Sequence, residues 1–172
     1  MVTSGWSTVG GQTQSAYVNG NVDPKNDKNP SGSSCGSAVG VSAGYAPFSI
    51  GTETDGSLFC PADRAALCSM KPTVGLVPQA EIVPVSNTFD TPGPMTRSVH
   101  DLATLLDVLT SRVPAKSHTL NMTGSWSDIS VASLDPTVWK IPGVFIRPVE
   151  SATEHTICTR RLNSMVQISS LN

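Results

Sequence analysis

The residues able to act on a substrate cluster in two short stretches, 31–37 (SGSSCGS) and 51–57 (GTETDGS). The first has no side chain larger than a thiol, and the second adds two carboxylates, Glu53 and Asp55. Glycine lets the backbone take positive φ and lets main-chain N–H groups approach a ligand closely. Several N–H groups aimed into one hollow make an anion site, which the oxyanion of an acyl transfer requires. Ser57, at the end of the second stretch, stands where a nucleophile belongs, although a free hydroxyl is weak and needs a base. Ser33 and Ser34 are its nearest polar candidates by sequence. The three histidines, His100, His118 and His155, lie near neither stretch, so a Ser–His–Asp arrangement has little support.

Positioning two loops requires elements between and behind them. The small, mostly apolar run 38–45 predicts a short buried helix ended by Gly44 and Pro47, and residues 48–50 predict a strand feeding the second loop. Residues 61–69 predict a short helix starting at Pro61. Over 71–84 the prolines and Gly75 predict short strands and turns. The clearest helix is 98–109: Ser98 can cap it, Asp101 follows three residues on, and Leu102, Leu105, Leu106 and Leu109 form one apolar stripe. His100 lies off that stripe and is expected to be exposed. Residues 1–32 read as a polar, turn-rich extended lead-in and 114–128 as a loop. A strand is predicted over 129–134, short apolar runs stand at 138–139 and 144–146, and 152–168 carries a weak helical pattern.

Composition narrows the function classes. A chain of 172 residues with 38% hydrophobic residues can bury a core. Its net charge of −2 gives no electrostatic reason to expect a nucleic-acid or anionic-membrane partner. No apolar run approaches the length of a membrane span, and the beginning of the chain carries no signal pattern; cytoplasmic is the default reading, with the compartment otherwise unknown. Cys35, Cys60, Cys68 and Cys158 form no CxxC pair and no zinc spacing, so no metal is expected. Cys35, alone inside a candidate site, reads as a small buried residue. Asn121-Met122-Thr123 is a formal glycosylation sequon. A phosphate cradle would need G-x-x-x-x-G-K-[ST], or a GxGxxG after a predicted strand, and neither occurs.

Taken in order, these stretches resemble the amidase signature family of serine amide hydrolases, in its GTETDGS branch of fungal and bacterial type. SGSSCGS is similar to the family's GGSSGGS, and GTETDGSLFCP to its second block. KPTVGLV at 71–77 and DTPGPMTRSVHD at 90–101 follow, with GGQT at 10–13 upstream, so the resemblance runs unbroken over about residues 5–109. It implies an α/β fold, a mixed β-sheet flanked by helices, held here in part and incomplete at both ends. Residues 1–112 would be the core of one amidase domain and 113–172 its truncated continuation. It implies Ser57 as the acylated nucleophile, and Ser33, after a cis Gly32–Ser33 bond, as the bridging serine. Ser34 would be a supporting partner, and the backbone N–H groups of Thr54, Asp55, Gly56 and Ser57 the oxyanion hole. No cofactor is implied, and the substrate would be a small-molecule or peptide amide, with oligomeric state left open.

The resemblance also implies a catalytic lysine well upstream of the serine loop, for which this chain has no counterpart. Lys25 and Lys28 read as solvated charges in a polar turn, and Lys71 belongs to a block of its own. The expectation is therefore a carbon–nitrogen hydrolase of which this chain is an incomplete piece, inactive alone. The alternative is a non-catalytic fragment or pseudoenzyme acting as an interaction module. Ser31 and Cys35 stand where the family pattern has glycine, and neither takes positive φ freely. Phe59 and Glu53 replace an arginine and an aspartate of the commonest second block, pointing away from the glutamyl-tRNA amidotransferase branch.

Overall fold

A computed structural model of the chain describes residues 4–18, 29–110, 117–122 and 124–125. The chain divides into two compact units, Met1–Met122 and Thr123–Asn172, and of the second only Gly124 and Ser125 are among the described residues. The readings at Lys25, Lys28, His155, Cys158, 129–134, 138–139, 144–146 and 152–168 therefore lie outside the described residues.

The first unit opens with a small antiparallel hairpin, β1 (Trp6–Ser7) with β2 (Gly11–Gln12), inside the stretch expected to be extended. Helix α1 (Cys35–Ser42) follows the first loop, then strand β3 (Phe48–Glu53), helix α2 (Phe59–Arg64), strand β4 (Cys68–Ser69), strand β5 (Thr91–Thr96) and helix α3 (Val99–Leu109). β5 lies between β3 and β4, antiparallel to both. The core is built from small residues, Ala38, Ala62 and Ala65 with Leu58 and Met95, so α1, α2 and the sheet approach closely.

Helix α1 begins three residues before the expected 38, because Cys35, Gly36 and Ser37 need no unusual φ and join the helix that Ser34 starts. It ends at Ser42, short of the expected 45, with Gly44 as the expected stop. Gly44 at φ +86° lets Tyr45 N–H reach Gly40 O (2.9 Å) and Gly44 N–H reach Val41 O (3.1 Å), the paired bonds of a Schellman stop. Strand β3 runs three residues beyond the expected 48–50, since Gly51, Thr52 and Glu53 still pair with β5. Helix α2 starts at Phe59, not Pro61. Proline is tolerated there because a first-turn N–H has no partner within the helix. The expected strands within 71–84 do not form; turns replace them, with Gly75 and Glu81 at positive φ.

Strand β5 (TPGPMT) was not legible, because two prolines and a glycine argue against a central strand. Its geometry explains the tolerance. Pro94 O accepts from Ser69 Oγ (3.0 Å), so the polar backbone of Pro94, and by alternation of Pro92, faces the β4 side. There the partner strand is only two residues long, so the missing N–H groups cost no bond with β3. Helix α3 matches its expected span. Ser98 Oγ accepts from Asp101 N–H (3.1 Å) and lies 2.7 Å from Asp101 Oδ2, Leu102 and Leu106 are buried, and His100 is exposed.

Candidate active site

Strand β3 is the rail on which both loops ride. Its residues opposite the prolines, Ile50 and Thr52, turn their backbone polar groups away from β5. Serines of the first loop and α1 satisfy that outer edge where another strand would otherwise be needed. Ser37 Oγ donates to Ile50 O (2.9 Å), while Ser34 Oγ accepts from Thr52 N–H and donates to Thr52 O, both at 3.1 Å. Ser49 Oγ returns a bond to Ser37 O (2.8 Å). Ser34 N–H also donates to Ser57 O (3.2 Å), so one residue of the first loop holds the second near both its ends.

Two glycines make this closeness possible. Gly51 and Gly93 face each other across β3 and β5. A Cβ on Gly51 would fall 2.7 Å from both Ser34 Oγ and Leu58 Cδ2, and one on Gly93 would run into the Met70 carbonyl and Leu58 Cδ1. Leu58, fully buried, therefore sits against both bare backbones and anchors the residue after Ser57. Glu53, only 4% exposed, closes the loop from inside. Its Oε2 accepts Leu58 N–H (2.6 Å) and Phe59 N–H (3.1 Å), which α2 caps with no side chain of its own. The negative charge also suits the positive end of a helix.

Between those anchors the loop makes a tight turn, with Gly56 at φ +79° and Ser57 buried to 7% exposure. Among the described residues, the N–H groups of Thr54, Asp55, Gly56 and Ser57 meet no protein acceptor, whereas those of Leu58 and Phe59 do. Thr54 is held by its other atoms: its Oγ1 donates to Asp90 Oδ1 (2.6 Å), and Lys71 Nζ donates to its carbonyl (2.6 Å). Asp90 Oδ2 accepts from Val85 N–H (2.6 Å) and Ser86 N–H (2.9 Å), and Gln79 Nε2 donates to Asp90 O. The Thr54 hydroxyl first, then these N–H groups, hold the Asp90 carboxyl below its ordinary value against the opposing cost of burial.

Ser33 is exposed beside this loop, and the Gly32–Ser33 bond is cis. Ser31, at a glycine position of the pattern, does take positive φ (+61°), and its N–H donates to Asn29 Oδ1 (2.8 Å). Cys35 needs no such conformation; it is buried at the start of α1. Ser33, Thr54, Asp55 and Ser57 line one cleft of about 260 Å³, while Ser34 acts behind it through Thr52 and Ser57. The apolar run 82–85 and Asp90 also line the cleft. The cleft thus brings together a buried hydroxyl, Ser57, and an exposed one, Ser33, beside a turn whose N–H groups meet no acceptor among the described residues.

Sequence reasoning missed the supports: Ser37, Glu53 as an internal cap, Asp90, Gln79 and the role of Lys71. Asp90 and Lys71 lay inside stretches already singled out, but no local spacing joins them to Thr54. Among the described residues no group of three His, Cys, Asp or Glu side chains is set to hold a metal ion. No helix among them is long and apolar enough to cross a membrane.

Comparison with known proteins agrees with this geometry. Residues 4–138 match the Amidase family, and the chain belongs to it. A protein of Arthroderma benhamiae bearing the amidase name is 46% identical over 110 residues, which are 64% of this chain and 17% of that protein. One component of the glutamyl-tRNA(Gln) amidotransferase of Macrococcus caseolyticus is 40% identical, over 63% of this chain and 23% of its own length. The crystal structure of native peptide amidase from Stenotrophomonas maltophilia superposes with a TM-score of 0.55 at 46% identity, covering 70% of this chain and 23% of that one. The chain thus carries part of the amidase α/β fold and spans about a fifth of the length of these relatives.

Proposed function

We propose that the protein carrying this chain hydrolyses the carbon–nitrogen bond of a carboxamide, in a small molecule or a peptide, through an acyl-Ser57 intermediate. In this reading Ser57 Oγ attacks the amide carbon and passes its proton to Ser33, whose own proton goes to a lysine. The carbonyl oxygen becomes an oxyanion against the N–H groups of Thr54, Asp55, Gly56 and Ser57. The C–N bond breaks as the leaving nitrogen takes a proton back through Ser33, and water then cleaves the acyl ester. Ser34 supports the set through Thr52 and Ser57. The observation that carries the reading is one cleft lined by both serines and by the loop whose four N–H groups meet no acceptor among the described residues.

The lysine behind Ser33 is not supplied by the described residues. Their one lysine, Lys71, is engaged on the Thr54 carbonyl. We read residues 1–112 as the core of the amidase domain and 113–172 as its continuation; a family match running to residue 138 supports one continuous domain. Ammonia release from a panel of carboxamides tests the proposal, using the protein expressed from the whole reading frame that contains this chain. Ser57→Ala is expected to lower turnover by at least about a thousandfold. A Ser57→Ala protein that turns over amides like the unaltered one contradicts the proposal, and no turnover by either favours the non-catalytic alternative.

A further inference from the structure

Resting on that reading, we infer that Lys71 and Asp90 are positioning residues that together hold the peptide planes of the oxyanion loop with their N–H groups facing the cleft. The argument begins at Thr54, which is gripped at two separate atoms. Lys71 Nζ holds its carbonyl oxygen at 2.6 Å, and Asp90 Oδ1 holds its hydroxyl at 2.6 Å. A peptide unit is planar, and in the trans form its C=O and N–H point in opposite directions. Gly32–Ser33 is the cis bond among the described residues, so the Thr54–Asp55 unit is trans. A cation that fixes where the Thr54 carbonyl points therefore fixes where the Asp55 N–H points, on the opposite side. Rotation of that unit would carry a carbonyl toward the hollow and remove a donor from it.

The Asp90 grip prevents the loop from rotating as a whole about the Lys71 contact. Asp90 is itself immobilised: it is 8% exposed, accepts two backbone N–H bonds at Oδ2, and receives Gln79 Nε2 at its carbonyl. It also immediately precedes β5, which pairs with the strand that leads into the loop. The loop is thus tied at one end through β3 and at its middle through Asp90, both referred to the same strand. Neither Lys71 nor Asp90 needs to touch the reacting atoms.

The test combines steady-state kinetics on the protein expressed from the whole reading frame with hydrogen exchange over segment 52–58. Lys71→Met and Thr54→Val are expected to lower kcat by roughly 10- to 100-fold with KM little changed, since misaiming one donor costs part of what deleting it would. Thr54→Ser, which keeps the hydroxyl, is expected to recover most of the loss seen in Thr54→Val. Exchange over 52–58, read at its hydrogen-bonded amides such as Thr52 and Leu58, should quicken in Lys71→Met, Thr54→Val and Asp90→Asn while α3 stays protected. Unchanged exchange over 52–58 in these variants overturns the inference, whatever the activity. Quickened exchange with unchanged kcat overturns the link to catalysis. Loss of the amidase reading itself shows separately, as turnover that survives Ser57→Ala.

Discussion

At the scale of single residues, the site is a set of close approaches that only certain atoms allow. Ser31 shows the cost of departing from glycine. Its φ of +61° lies in the left-handed region, where an L side chain is disfavoured by about 1–2 kcal/mol, and its N–H bond to Asn29 offsets part of that. Replacing it with glycine removes the penalty but gives the unfolded chain more freedom. Ser31→Gly is therefore expected to stabilise the fold by about 0.5–1 kcal/mol, read from denaturant midpoints at unchanged slope; a destabilised variant contradicts this account of the loop. Ser57 and the small-residue turn before it could be singled out from residue types, with Ser33 and Ser34 as the nearest polar candidates, while the roles proposed for them come from the family resemblance. Glu53 and Asp90 could not be placed. Which N–H groups a carboxylate accepts depends on where another strand brings it, and nothing local in the chain records that.

At the scale of elements, a glycine pair and a leucine join the two loops. Gly51→Ala and Gly93→Ala each force a Cβ against Leu58, the first also against Ser34. Each is expected to destabilise by at least about 1–3 kcal/mol, seen as a lowered denaturation midpoint, because the displaced atoms belong to packed core and backbone. A neutral effect of both would mean that the strands do not meet in this register. A second junction ties α3 to the 117–122 turn. Asp107 accepts Ser117 Oγ (2.5 Å), His118 N–H (2.7 Å) and Thr119 N–H (3.3 Å), and lies 2.6 Å from His118 Nδ1. The Ser117 hydroxyl first, then the His118 N–H, hold its carboxyl well below the usual range. A depressed folded value stabilises fully above the unfolded carboxylate value of about 3.9 and is lost as pH falls below it. Hydrogen-exchange protection factors over 117–122, taken against the intrinsic exchange rate at each pH, should hold at pH 5 and fall progressively below pH ~4, and Asp107→Asn should show low protection at both. Helix α3 was legible to the residue because its cap and leucine stripe are local. Strand β5 was not, because its prolines are excused only by the shortness of β4.

At the scale of the whole molecule, the described body is a frame for one cleft. α1 blunts the outer edge of β3 with serine hydroxyls, β5 holds β3 from the other side, and Glu53 and Leu58 fix the turn between them. The ordered blocks made the family legible, and two of them, 51–57 and 90–101, carry the glycines that the close approach of β3 and β5 to Leu58 requires, Gly51 and Gly93. The supports were illegible because they are contacts between blocks. The central claim is that this frame positions Ser57 to act as the nucleophile of the protein that carries it. Labelling with a fluorophosphonate probe, followed by peptide mapping of the protein expressed from the whole reading frame, tests it most directly. The account predicts a single adduct on Ser57 that is absent from Ser57→Ala; labelling that maps elsewhere, or that persists in the variant, would contradict it.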